Sequence, residues 1–284
     1  MIKILILDVD GIIVGEKIGY NSPYPHADVI ARLRSIEAKG IPISLCTGKP
    51  HSSIQKIIKD ANLHNLHITD GGGVVIDPIN NVVLKSHVIS KDIVKEVLRA
   101  YLAKGVYTEL YTVDGYYIQS DQKRALTDTH THVLQSEPEI VDSLQGQVNE
   151  LDVVKIMPIA KDDVDKEALT TIFQKFNDSL TLSWGVHPVA NPHQFGIITA
   201  KGVSKAQATV EIAQFANLKT EEMLGIGDST SDWQFMEQCG YAGTLSNGTK
   251  ELKDSIATKQ SRGFIANHSV DSNGILAVLD YFSL

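Results

Sequence analysis

Cysteine is scarce in this chain, basic residues are outnumbered by acidic ones, and no apolar run is long. The two cysteines, Cys46 and Cys239, lie far apart in apolar surroundings. They read as reduced thiols of a cytoplasmic protein, not as a disulfide framework. Lys and Arg number 26 against 34 Asp and Glu, a formal net charge of -8. That balance argues against a protein whose business is gripping the phosphate backbone of nucleic acid. No apolar stretch approaches the ~18 residues needed to cross a bilayer, so no membrane span is expected. The apolar residues near the start are too few for a signal peptide and are broken at once by acids. Internal repeats and low-complexity segments are absent as well. What remains is a chain of 284 residues, 43% hydrophobic and 21% charged. It can bury a substantial core as one large or two modest domains.

Strand-like and helix-like segments alternate from the beginning. Residues 2–7 form a continuous β-branched and leucine run, as expected of a parallel strand covered on both faces. Val29, Ile30, Leu33 and Ile36 then recur with a helical period that Gly40 closes. IPISLCTGK reads as a second strand, 51–62 as a helix, and LHITDGGGVVID as a third strand with a glycine-rich break. This order predicts a parallel sheet with helices on both faces. Near residue 83 the character changes. A helix over 90–104 is followed by VYTELYTVDGYYIQ, a hairpin around Asp114-Gly115, and then by strand, helix and strand up to LTLSWGV. Hairpins with helices suggest an α+β unit. From about 188 the first pattern resumes. The expected fold class is therefore α/β: a Rossmann-like parallel-sheet core, residues 1–82 and 188–284, with an inserted α+β domain at 83–187. The Pro- and Asn-containing stretches at 80–84 and 186–195 are the expected hinges between them.

The chemistry-bearing residues sit at strand ends, where open parallel sheets bind ligands. In ILILDVDGII the run Ile4–Leu7 ends on Asp8 and Asp10, and residues i and i+2 of an extended chain share a face. Two anions that close repel unless a cation lies between them or one takes a proton. A hard, oxygen-ligated cation such as Mg²⁺ meets that need. Capping of the Asp10-Gly11 turn accounts for the same residues about equally well. Thr47, with Gly48 letting the backbone approach a ligand, suits a phosphate, though an isolated threonine there is as often a helix cap. EMLGIGDSTSD ends in Asp228, with Asp232 four residues on. Asp228 could join the first pair at the cation, with Asp232 behind it. Lys201 and Lys205 flank the start of an amphipathic helix, and most surface lysines are merely solvated.

Taken in order, the DxD at Asp8 and Asp10, Thr47-Gly48, the GVSK lysine Lys205 and the late GDxxxD resemble the haloacid dehalogenase superfamily. More narrowly, they resemble its Cof-type sugar-phosphatase branch, which inserts a cap domain between the threonine and lysine motifs. The resemblance implies a Mg²⁺-dependent phosphomonoester hydrolase acting on a small phosphorylated substrate. It makes Asp8 the nucleophile and Asp10 the general acid and base. It gives the metal the Asp8 carboxylate, the Asp10 backbone carbonyl and the Asp228 carboxylate, with Asp232 near by. Thr47 and Gly48 would bind phosphate, and Lys205, preferred to Lys201, would neutralise its charge. Lys49, Asp70 and Ser231 depart from the branch, which more often carries Arg, Asn and Asn there; none is expected to touch the nucleophile or the metal. A phosphotransferase or mutase would share Asp8, Asp10 and the metal. A regulator that only senses a phosphorylated ligand would be expected to have lost Asp8 or Asp10. The Thr127–His132 run reads as a solvated segment of the inserted domain, and His187 and His193 as hinge residues that could line the cleft.

Overall fold

A computed structural model describes residues 1–284, the side chain of Pro188 excepted. Its central element is the strand Ile4–Leu7, every residue of which is buried. Alternation along it feeds two cores. Leu5 and Leu7 pack with Val29, Leu33 and Ile36 of the helix Ala27–Ala38, and with Ile275 and Val278. Ile4 and Ile6 face the other way, onto Ile212, Phe235, Leu252 and Ile256. Two-sided burial is why the strand is apolar at every position rather than at every second one. Each such side chain contributes roughly 1.5–3 kcal/mol by leaving water.

The parallel sheet has five strands, in the order Gly263–Ile265, Tyr241–Thr244, Met223–Ile226, Ile4–Leu7, Ile43–Leu45. The chain leaves Ile4–Leu7 toward one edge and fills the other side only with its C-terminal third. The order therefore reverses at Ile4–Leu7, and a crevice opens beyond its carboxyl end. Asp8 follows that end directly, its N–H donating to the Ile226 carbonyl at 2.9 Å.

A second sheet has six strands, in the order Leu180–Val186, Gln194–Ala200, Lys155–Ala160, Thr108–Tyr111, Tyr116–Gln119, Glu139–Val141. Neighbours are antiparallel except for the last pair. Leu110, Ile156 and Ile198 point to the helices Lys91–Leu102 and Asp163–Phe173. The alternate residues, among them Met157 and Ile197, point back toward the first sheet's side of the molecule and line a pocket there.

LHITDGGGVVID is two strands, not one. His67–Thr69 and Val74–Asp77 run antiparallel, and Val82–Ser86 adds a third strand with all five residues exposed. His67–Thr69 meets the parallel sheet at the Cys46–Ile68 bridge and at His67, whose Nδ1 accepts from the Leu45 N–H. Gly72 (φ +103°) shows why the turn between them needs glycine. A Cβ there would lie 2.3 Å from the Ser204 carbonyl oxygen, so the turn packs directly on the start of the helix Lys205–Phe215.

The insert boundaries expected at 82/83 and 187/188 fall inside paired structure. Val82–Ser86 pairs with the strand before it, and Gln194–Ala200 completes the six-stranded sheet. The expected hinges at 80–84 and 186–195 thus fall on hairpins, whose connections are residues 78–81 and 187–193, and the chain crosses between the sheets at about 87–90 and 201–204. Val82–Ser86 escapes notice because it buries nothing. QFGIITA has the same apolar character as the strands of the first sheet, so composition does not tell which sheet takes it. Among the described residues no helix is long and apolar enough to cross a membrane.

Candidate active site

One pocket gathers Asp8, Asp10, Thr47, Gly48, Lys205, Asp228 and Asp232. Three strand ends and two helix starts deliver them. Asp228 follows the strand Met223–Ile226, and Asp232 lies in the first turn of Thr230–Met236. Asp232 Oδ2 closes that turn, accepting from the Asp228 N–H at 3.2 Å, the Ser229 N–H at 3.1 Å and the Ser229 hydroxyl at 2.8 Å. Its other oxygen is left for Lys205, whose Nζ reaches Asp232 Oδ1 and Asp8 Oδ1, each at 2.7 Å. Gly11 (φ +76°) leaves the room Asp228 needs. A Cβ there would sit 2.0 Å from Asp228 Oδ2.

Asp8, Asp228 and Asp232 each place a carboxylate oxygen within 4.8 Å of the other two. A single ammonium, Lys205, faces these three acids, of which Asp8 and Asp232 are buried and Asp228 half-buried. The imbalance shows in their proton affinities. Burial, then the Asp232 charge, push Asp8 up to about 7 against the pull of Lys205. Burial and the Asp232 and Asp8 charges raise Asp228 well above the carboxylate range. Burial would raise Asp232 too, but Lys205 and the Ser229 hydrogen bonds hold it low. Lys205 is itself held protonated: burial would lower it, and Asp232 and Asp8 outweigh that. Oxygen donors with surplus negative charge are what a hard divalent cation such as Mg²⁺ takes, so the residues present fit one.

Asp10 stands apart from this trio. Its Oδ1 lies 2.7 Å from Lys49 Nζ and 3.1 Å from His187 Nε2. Burial alone would raise its carboxyl; Lys49 and His187 outweigh that and hold it well below the usual carboxylate range. His187 Nδ1 accepts from the Val189 N–H at 3.2 Å, which puts the ring proton on Nε2, toward Asp10. Burial lowers the His187 pKa, in keeping with a neutral ring. Thr47 follows the strand Ile43–Leu45, and its hydroxyl accepts from the Lys49 N–H at 3.1 Å. A Cβ on Gly48 would meet Ile197 Cδ1 at 2.6 Å, so a larger residue there would have to displace the end of that side chain.

Of the two lysines in the GVSK region, Lys205 is in the pocket, while Lys201 is exposed and bonds the Asn177 carbonyl. Lys49, one of the unusual positions, grips Asp10, the residue expected as general acid and base. Ser231 also lines the pocket. Asp70 forms a buried ion pair with Lys155, a residue that pattern reasoning passed over. The Thr127–His132 run is not a solvated segment. It lies in the helix Ala125–Leu134, which buries His130 in the pocket wall. Helical spacing sends His130 and His132 to different sides. His187 is a pocket residue, whereas His193 turns its Nδ1 to the Ala190 carbonyl. Cys46 adjoins Thr47, yet burial pushes its thiol far up and leaves it inert.

The profile of the haloacid dehalogenase-like hydrolases matches residues 5–279. The chain belongs to that family. It is 21% identical over 268 residues to the phosphatase YwpJ of Bacillus subtilis, covering 88% of this chain and 92% of YwpJ. A haloacid dehalogenase-like hydrolase from Bacteroides thetaiotaomicron superposes with a TM-score of 0.81 at 15% identity, over 99% of this chain and 100% of the other. The subclass IIB sugar phosphatase BT4131 gives 0.79 at 18% identity, over 99% of both. The family is represented here in its Cof type, and the enzyme is a phosphatase.

Proposed function

We propose that this phosphatase hydrolyses small phosphorylated metabolites, with sugar phosphates as the expected class, using Mg²⁺ and an aspartyl-phosphate on Asp8. The observation that carries the reading is the separation of two carboxylates two residues apart. Asp8 lies with Lys205 and the acidic trio, and Asp10 with Lys49 and His187. The likeness to BT4131, a sugar phosphatase, supports the substrate class. Asp8, Asp228 and the backbone of Asp10 would hold the cation, with Asp232 fixing Lys205 and the Asp228 loop. The cation would neutralise charge on the phosphoryl oxygens and keep Asp8 ionised.

Asp8 attacks phosphorus and the alcohol oxygen departs. Lys205, held between Asp8 and Asp232, neutralises charge on the phosphoryl group. Thr47 and the Gly48 backbone bind its oxygens. Asp10 protonates the leaving oxygen, then takes a proton from the water that cleaves the acyl phosphate. Its resting, ionised form suits the second role. For the first, the dianionic phosphoryl group arriving beside it favours proton uptake. The six-stranded sheet, with residues 88–200, acts as the lid, hinged at 87–90 and 201–204, and excludes stray water.

The test is phosphate release from sugar and other monophosphates with Mg²⁺, beside EDTA and an Asp8→Asn variant. Metal-dependent release lost in Asp8→Asn is expected. No release from any substrate by folded, Mg²⁺-binding protein would overturn the reading in favour of a phosphotransferase or a phospho-ligand sensor.

A further inference from the structure

The part of the pocket wall formed by the six-stranded sheet and the helix Ala125–Leu134 is apolar at Val133, Leu134, Met157, Phe195 and Ile197 and carries hydroxyls at Thr181 and Ser183. One titratable side chain from this wall interrupts it. His130 is 3% exposed and stacks on Phe195 with ring centroids 4.7 Å apart. Its Nδ1 lies 2.9 Å from Glu109 Oε1, and Glu109 Oε2 accepts from the Tyr111 hydroxyl at 2.6 Å. Glu109 and Tyr111 are two residues apart on one strand face, and Glu109 stands opposite Met157 in the sheet register. Both are fully buried.

Burying a glutamate and a histidine in an apolar wall is costly, and apolar residues of the same volume would pack at least as well. The arrangement does one thing that such residues would not. Glu109, its second oxygen occupied by Tyr111, fixes the proton on His130 Nδ1 and leaves Nε2 as an acceptor. Nε2 has no hydrogen-bond partner among the described residues, and the ring lines the pocket that holds Asp8 and Asp10. None of this belongs to the phosphoryl-transfer residues.

We propose that His130 is the specificity-determining residue of this pocket, its Nε2 accepting a hydrogen bond from one donor on an otherwise apolar or aromatic leaving group. The inference rests on the phosphatase reading above and replaces its sugar-phosphate class with a more apolar one. The favoured substrate is the phosphomonoester of a flat, apolar alcohol carrying a single O–H or N–H. A polyhydroxylated sugar would find only Thr181, Ser183 and His130 as polar side chains on this wall, fewer than its hydroxyls need, and would bury the rest against Val133, Leu134, Met157 and Phe195. A ligand lacking the donor would leave Nε2 buried and unpaired, which is the strongest source of discrimination a pocket has. Glu109 and Tyr111 are positioning residues.

The experiment compares kcat/KM, with Mg²⁺, for ring-hydroxylated benzyl phosphates, benzyl phosphate and a hexose phosphate. It uses the full-length protein and two variants. His130→Asn keeps a donor for Glu109 and withdraws the pocket-facing acceptor. His130→Gln places an amide where Nε2 stands. The expected result is a preference of about tenfold or more for one hydroxybenzyl isomer over both other substrates. That preference collapses in His130→Asn and returns in part in His130→Gln. An unchanged preference in His130→Asn, or a wild-type preference for the hexose phosphate, overturns the inference with hydrolysis intact. Should no substrate release phosphate, calorimetry with the corresponding phosphonates separates the two readings. A donor preference in binding that His130→Asn removes upholds the inference while the phosphatase reading falls, and its absence overturns both.

Discussion

Lys155 Nζ, on the first residue of a strand in the six-stranded sheet, lies 2.8 Å from Asp70 Oδ1 and donates to the Gly48 carbonyl at 2.8 Å. It also sits 3.6 Å from the centre of the Tyr111 ring. One buried ammonium thus ties the loop that carries Thr47 to the sheet above it. Burial raises Asp70 and lowers Lys155, and their mutual attraction works against both shifts. Removing one partner strands the other charge, so Lys155→Met alone should cost about 3–5 kcal/mol. Lys155→Met with Asp70→Asn should recover much of that. Urea unfolding of the two single variants and the double variant measures the coupling; strictly additive losses would show that the pair does not act as a unit.

Gly11→Ala should disable cation binding without touching a ligand. The new Cβ would meet Asp228 Oδ2 at 2.0 Å, and φ at this position is +76°. The wild type should gain thermal stability as Mg²⁺ is added, in proportion to ln(1 + [Mg²⁺]/Kd). Gly11→Ala and Asp228→Asn should both lose that gain. A full Mg²⁺-dependent rise in Tm for either variant would count against the acidic trio as the cation site.

Lys205→Met should depress phosphate release by about two to three orders of magnitude, as removal of one preorganised donor does. It leaves Asp8, Asp228 and Asp232 facing one another with no ammonium between them. Lys201→Met, at an exposed residue outside the pocket, should leave the rate near wild type. Equal losses in the two variants would deny Lys205 its special place.

His67 makes stability depend on pH. Its Nδ1 accepts from the Leu45 N–H at 3.0 Å, and burial presses its pKa down to about 3. Unfolded, it titrates near 6.5. Below that pH the unfolded chain takes up a proton that the folded one refuses. Its contribution is therefore complete above about 6.5 and is lost as pH falls toward 3, by at most about 1.4 kcal/mol per pH unit. His67→Asn keeps an acceptor for Leu45 and should flatten the fall in unfolding free energy between pH 7 and pH 5. An identical slope in both proteins would exclude His67 as its source.

The residues that bear the chemistry were legible because each follows a strand whose burial is written in its composition. ILIL before Asp8 and MLGI before Asp228 are buried on both faces, and a parallel sheet aligns such ends. Periodicity likewise marked the long helices and the Asp114-Gly115 hairpin. The boundaries of the insert were not legible. A proline-rich loop inside one sheet and a proline-rich linker between two have the same composition, so Pro188 and Pro192 pointed to the wrong crossing.

The linear chain by itself determined an α/β protein with its acids at adjoining strand ends, because burial and local geometry act over a few residues. Only the tertiary structure decided which charges meet. Lys49 and His187, 138 residues apart in the numbering, share Asp10. Glu109 turns His130 toward the pocket, and Lys155 answers the carboxylate at Asp70. These pairings depend on how two sheets pack against each other. At such distances along the chain, the strength of a contact depends on the burial and dielectric that packing creates, which residue spacing does not encode.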